Sequence, residues 1–253
     1  MKMFKILIVL LVAATSAFGQ SWEMGSTFIF SQPVSGMKRD MSNAFGITMD
    51  VGKQLKNAPF TIGTELSFGS YGTKDSWQEY TFDDGTTTET NVHVSNNITN
   101  LRLTGKYFLR KDKKFNPYVS GKAGWAWFTT RLTIDDPEDV DGCTPLVNDV
   151  LQRDNTYSVS AGAGARLDFS SIFRNMTSDR FYFDMSVHAV QGGRIQYMNV
   201  HQDSKSTPPD ADVMAKFINT RTQVIHTHHV GYVYTNMLNM VEYRFGAIFK
   251  FNP

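Results

Sequence analysis

The chain has one cysteine, Cys143, so no disulfide within it can form. For an exported protein that leaves stability to the fold itself. Apart from Ile6 to Ala14 it has no long apolar run. Its mean hydropathy of −0.29 argues against a later membrane-spanning helix, which needs about 20 apolar residues. It also lacks a charge bias, with a formal net charge of +1, which argues against a nucleic-acid partner, since that would want a basic face. No nucleotide loop, metal motif or protease signature occurs, so no cofactor is expected.

The first residues read as an address. Lys2 and Lys5 precede the apolar run, and Ala17-Phe18-Gly19 is a small-x-small exit. That order is a secretory signal peptide, expected over 1–19, with 20–253 as a single domain.

The rest alternates with a period of two. From Met237 to Phe251, Val241, Tyr243, Phe245, Ala247, Phe249 and Phe251 fall on one side, and Glu242, Arg244, Gly246 and Lys250 on the other. Similar stretches begin at Trp22, Phe45, Phe60, Ile98, Pro117, Tyr157 and Arg180, giving about eight strands. A soluble sandwich would bury the greasy face, whereas a membrane barrel turns it to lipid and its charges to the lumen. The connections favour the barrel. Pro33 to Ala44, Gly72 to Asn97, Ile134 to Thr156 and Met198 to Thr235 are longer, and Gln54 to Pro59, Lys111 to Asn116 and Ser171 to Asp179 are short. The expectation is an all-β, closed, eight-stranded antiparallel up-and-down transmembrane barrel with short periplasmic turns and long extracellular loops.

This phase assigns two sets of residues. Trp22, Tyr107, Phe181, Phe183, Phe249 and Phe251 should form a girdle at the periplasmic interface, and Phe68, Trp125, Trp127 and Tyr157 one at the outer interface. Glu23, Asp50, Glu65, Asp168, Asp184 and Glu242 should face Arg102, Lys106, Lys122, Arg166, Arg244 and Lys250 in the lumen. Glu65 is expected to meet Arg102 or Lys106, Arg166 to meet Asp184, Glu23 to meet Lys250, and Asp184 to meet Arg244. A barrel of eight strands is just wide enough for side chains to fill it, so the lumen should be plugged.

These features resemble a small outer-membrane β-barrel of the OmpA type, in the form common in Bacteroidetes and known as the outer membrane protein β-barrel domain family. The resemblance rests on the signal peptide, on Gly-rich strands such as Tyr157 to Gly164, and on the aromatic closing strand Tyr243 to Phe251. Asn252 and Pro253 follow Phe251, a departure from the family's aromatic end. The resemblance implies a Gram-negative outer-membrane location and a lipid bilayer as partner, and it is silent on activity.

The expected role is structural or surface-interacting, through the loops, as a monomer with another envelope protein as partner. A narrow, porin-like channel for solutes is the alternative. A lipid-A-modifying enzyme is the second, with His188 and Ser186 as its candidates. Both are expected in the lumen beside Asp184, so no catalysis is expected. The acidic run Asp135, Asp136, Glu138, Asp139 and Asp141 and the histidines His226, His228 and His229 are read as solvated polar residues, not metal ligands.

Overall fold

The computed structural model describes residues 21–55, 58–81, 85, 87–110, 114–137, 145–169, 180–200, 208–218 and 225–251. Residues 1–19, expected to be a signal peptide, and most of the acidic run lie outside them. The described residues form nine strands: β1 Trp22–Pro33, β2 Ala44–Gln54, β3 Phe60–Thr81, β4 Thr87–Phe108, β5 Phe115–Ile134, β6 Val147–Asp168, β7 Phe181–Asn199, β8 Ala211–Ile218 and β9 Ile225–Phe251. Each of β1 to β6 pairs antiparallel with the next, β7 pairs with β9, and β9 returns to β1 with Trp22 opposite Phe251. The result is a closed barrel of eight strands, with β8 added to the far end of β9.

The alternating side chains settle which way the wall faces. Met24, Phe28, Ile47, Leu103, Val159 and Phe245 are 46–66% exposed on the outside. Arg102, Arg166, Glu23 and Glu242 are at most 3% exposed inside. An apolar exterior around a charged interior is tolerable only when lipid surrounds the wall, so this is a membrane barrel.

A strand of about 9–11 residues crosses a bilayer. β1 and β2, with 12 and 11 residues, are that long, but β3, β4 and β6 have 22 each and β9 has 27. The stretches read from the sequence as long connections are therefore largely strand. β3 and β4 continue through much of 72–97, β6 starts at Val147, and 198–235 holds β8 and the start of β9. Polar Thr, Ser and Asn residues alternate with Val there, which is strand chemistry outside a membrane.

Beyond the membrane band the barrel splits into two wings. The β6–β7 ladder stops at Ser158 opposite Gly192, and β2 ends at Ala44 while β3 runs on. One wing is the far half of β3 to β6, and the other is the far half of β7 and β9 with β8. Their inner faces pack together through Val92, Val94, Leu132 and Ile134 against Met198, Val200, Val230 and Val233.

The β1–β2 connection folds inward. Ser35, at φ 54°, turns the chain into a one-turn helix α1, Met37–Asp40. Met37 then joins Tyr71, Ile98, Phe128, Ile195, Tyr197 and Tyr234 in a dry cluster at the far half of the lumen. The lumen thus holds charges at its turn end and apolar side chains at its wing end, where an all-polar interior was expected.

Candidate functional site: the lumen and the wings

The charged half of the lumen is built from every barrel strand, in two connected layers. In the layer nearer the turns, Arg166 of β6 donates to both oxygens of Glu23 of β1, at 2.7 and 2.8 Å, and to Asp184 of β7 at 3.1 Å. Tyr118 Oη also donates to Asp184, at 2.7 Å. Lys106 Nζ reaches Asp50 at 3.4 Å. The Arg166 guanidinium lies 4.6 Å from the Phe108 ring centroid, so the aromatic face takes the side the carboxylates leave open.

In the second layer, Arg244 of β9 donates to Glu65 of β3 at 2.6 and 3.0 Å and to its neighbour Glu242 at 3.1 Å. Arg102 donates to Glu242 at 3.0 Å, and its Nε lies 3.1 Å from Glu65 Oε1. Lys122 Nζ donates to Glu65 at 2.6 Å. Three cations here meet two carboxylates, while the first layer sets Arg166 and Lys106 against Glu23, Asp50 and Asp184. The excesses cancel across the two layers, which keeps the buried ensemble neutral, as low-polarity surroundings require. Asp168 and Lys250 are half-buried toward the turn end, where Lys250 donates to Gln54 at 3.1 Å. Arg244, expected to meet Asp184, is instead drawn to Glu65 and Glu242, while Arg166 and Tyr118 occupy Asp184.

Inward glycines make this crowding possible. A Cβ on Gly162 would run into the His188 ring and one on Gly164 into the Tyr118 ring. The Gly-rich stretch of β6 is therefore clearance for large side chains projecting from β5 and β7. Between the layers remains a chamber of about 10 Å³ lined by Thr27, Asp50, Lys106, Tyr118 and His188. That is room for about one water.

The aromatics assigned to the girdles all lie on the outer face. Trp22, Phe68, Tyr107, Trp125, Tyr157, Phe181 and Phe251 are 36–56% exposed, and Trp127, Phe183 and Phe249 are half-buried among neighbours. Phe181 and Phe249 pack at 4.6 Å between centroids.

His188 faces the lumen at 1% exposure, with Nε2 2.7 Å from Ser120 Oγ. Ser120, not Ser186, is its partner, because Ser120 and His188 flank Gly162 in register, and the missing side chain there lets the ring reach over β6. Neither group reaches lipid, so lipid-modifying chemistry has no access to this histidine. On the wings, His229 Nε2 lies 3.1 Å from Asp212, and the side chains of His226 and His228 lie outside the described residues. His93 Nδ1 lies 2.6 Å from Asp75, and this hydrogen bond holds the Asp75 carboxyl below its ordinary value. Among the described residues no group of three or more His, Cys, Asp or Glu gathers as metal ligands would.

Sequence reasoning missed the dry cluster. Its one warning was Gly192-Gly193, where a bulge shifts the β7–β9 register and the inward set passes from His188 and Val190 to Ile195 and Tyr197.

No family model matches the chain, and no curated protein sequence does. At low identity the chain is similar to several solved outer-membrane proteins. A major outer membrane protein from Thermus thermophilus is 12% identical, with a TM-score of 0.48 over 91% of this chain and 99% of that one. Neisserial surface protein A (NspA) is 8% identical, with a TM-score of 0.42 over 92% and 98%. Ail, the attachment invasion locus protein of Yersinia pestis, solved in complex with the heparin analogue sucrose octasulfate, is 11% identical, with a TM-score of 0.38 over 92% and 97%.

Proposed function

We propose that this is an outer-membrane barrel, exported by a signal peptide over 1–19, that works as a surface-interaction protein through its wings. On this reading residues 20–253 form one monomeric barrel of the OmpA-like kind, and the wings stand outside the cell. A partner protein or an envelope polymer is the ligand class. The lumen charges serve as structure, and neither metal nor cofactor takes part.

One observation carries the reading. The lumen is filled at both levels, with Arg102, Arg166 and Tyr197 at 0–1% exposure, while the chain spends its length on wings far taller than a bilayer needs. A protein built to conduct would leave the interior open. Here the outward-projecting surface is the developed feature, and Trp77 on the β3 wing is 65% exposed. Exposed Trp at a protein surface is a common anchor for partners.

The test is a pull-down from native outer membranes with the full chain, set against variants whose β3–β4 and β8–β9 wings are shortened to tight turns. Partners recovered by the full chain and lost with the wings support the reading. Equal recovery by both overturns it.

A further inference from the structure

The outer wall carries a groove that the lumen and wings do not account for. It lies on the membrane face of β4 to β6, with a volume of about 440 Å³, and is lined by Leu101, Leu103, Ala123, Trp125, Tyr157 and Val159. The cause is local. Ala123 sits between Leu103 and Val159 on the paired strands, so the short side chain dents the wall, and the Trp125–Tyr157 pair rims the dent toward the wings.

Beyond that rim and the Trp127–Asn155 pair stand two arginines on the same two strands. Arg153 of β6 pairs with Thr129 of β5, and Arg131 lies two residues further out along β5, opposite Val150. Both are exposed and point away from the barrel interior. Arg131 donates to the neutral amide of Asn148 at 2.7 Å, which positions its guanidinium and leaves the charge uncancelled. No carboxylate among the described residues pairs with Arg153. The nearby Asp154 is turned to the backbone N–H groups of Gln196 and Asn155, at 2.8 Å each. Six residues of strand separate Ala123 from Thr129, which is about 20 Å. That separation places the cations at headgroup height when the groove lies among acyl chains.

We propose that β4 to β6 form a docking site for a multiply phosphorylated, acylated lipid of the outer leaflet, with an acyl chain in the Ala123 groove and phosphate on Arg131 and Arg153. The charge complementarity selects the occupant. An apolar groove alone takes any lipid, but a groove topped by two uncompensated guanidiniums prefers an amphiphile with phosphates, which accept paired, charge-assisted hydrogen bonds. The Trp125 and Tyr157 rings sit between chain and headgroup, where amphipathic rings are most stable. The inference rests on the outer-leaflet placement of the wing end and is independent of what the wings bind.

The test uses the full chain, purified, stripped of lipid and refolded in detergent, so that binding is read whatever the cell's partner. Native mass spectrometry would follow retention of bis-phosphorylated lipid A, its dephosphorylated form, phosphatidylcholine and inorganic pyrophosphate. The expected result is one bis-phosphorylated lipid retained per chain, with affinity falling about tenfold or more for the dephosphorylated form and for the double variant Arg131→Gln, Arg153→Gln. Ala123→Phe, which fills the groove from the lipid side without touching the lumen, should weaken binding similarly, and Arg131→Lys with Arg153→Lys should retain part of it. An unchanged thermal transition confirms that each variant is folded. Equal retention of phosphatidylcholine, or binding unaffected by the arginine pair, overturns the proposal. So does pyrophosphate binding as tightly as the lipid with Ala123→Phe silent, since that describes an anion site without a groove.

Discussion

Arg166 and Glu23 meet through two parallel hydrogen bonds in the layer of the lumen nearer the turns, tying the sixth strand to the first across the lumen. Neither strand borders the other in the sheet, so this contact braces the cross-section where ladder bonds cannot. Removing one partner leaves the other buried and charged. Arg166→Met should therefore destabilise by about 3–5 kcal/mol. Pairing it with Glu23→Gln should cost less than the two single changes summed, because the double variant leaves no orphaned charge from this pair. Urea unfolding in lipid vesicles reads both numbers, and strict additivity would show that the brace is illusory.

The dry cluster depends on a helix of a single turn. Met37 is fully buried and packs where Tyr71, Phe128, Tyr197 and Leu238 converge. Met37→Ala should cost about 2–5 kcal/mol by the cavity it leaves. The same truncation at lipid-facing Met49, which is 56% exposed to the membrane side, should stay within about 1 kcal/mol. Comparable losses at both positions would mean that α1 does not seal the lumen.

Much of this arrangement was legible in the residues, and the limit has a physical cause. Period two fixes which residues share a face, so the lipid-facing Phe245 and the lumen-facing Arg244 could be separated before any coordinates. Pairs on neighbouring strands, Arg166 with Asp184 and Glu65 with Arg102, follow from register alone. Contacts across the lumen, such as Arg102 with Glu242 or Arg166 with Glu23, depend on barrel closure and side-chain reach, which no local pattern encodes. In the sequence the wings look like loops because Thr, Ser and Asn serve turns and wet strands equally well. α1 escaped notice because Met37 and Met41 are too few to show a helical period.

Inward glycines give a contrast within one strand. Gly164 lies under the Tyr118 ring, so Gly164→Leu should overpack the lumen and cost about 1–3 kcal/mol. Ala163, its neighbour, faces lipid, and Ala163→Leu should fall within about 0.5 kcal/mol. The thermal transitions of the two variants in one detergent decide it. Equal tolerance would place the Gly-rich face on the wrong side of the wall.

On the wing, Asp75 titrates low because His93 hydrogen-bonds its carboxylate. A lowered folded value means that the contact supports the wing above the ordinary carboxylate range and is lost as pH falls through that lower value. His93→Ala should return Asp75 to ordinary titration, followed by carbon NMR of its carboxyl. An unmoved titration would assign the shift to another group.

Filling and conduction are opposed, and the lumen states which one holds. In planar bilayers the intact chain should give no steady, large openings, since ions would have to pass both the Arg244–Glu65–Arg102 layer and the Met37–Tyr197 cluster. Opening only the charged layer, with Arg244→Ala and Glu65→Ala, should leave the membrane silent, because the dry cluster still blocks the far half. Adding Tyr197→Ala and Met37→Ala removes the second barrier and should admit ions. Two barriers in series predict this order, in which neither pair of changes suffices and both together do. Steady openings from the unaltered chain would sink the plug and transfer the function to the channel reading.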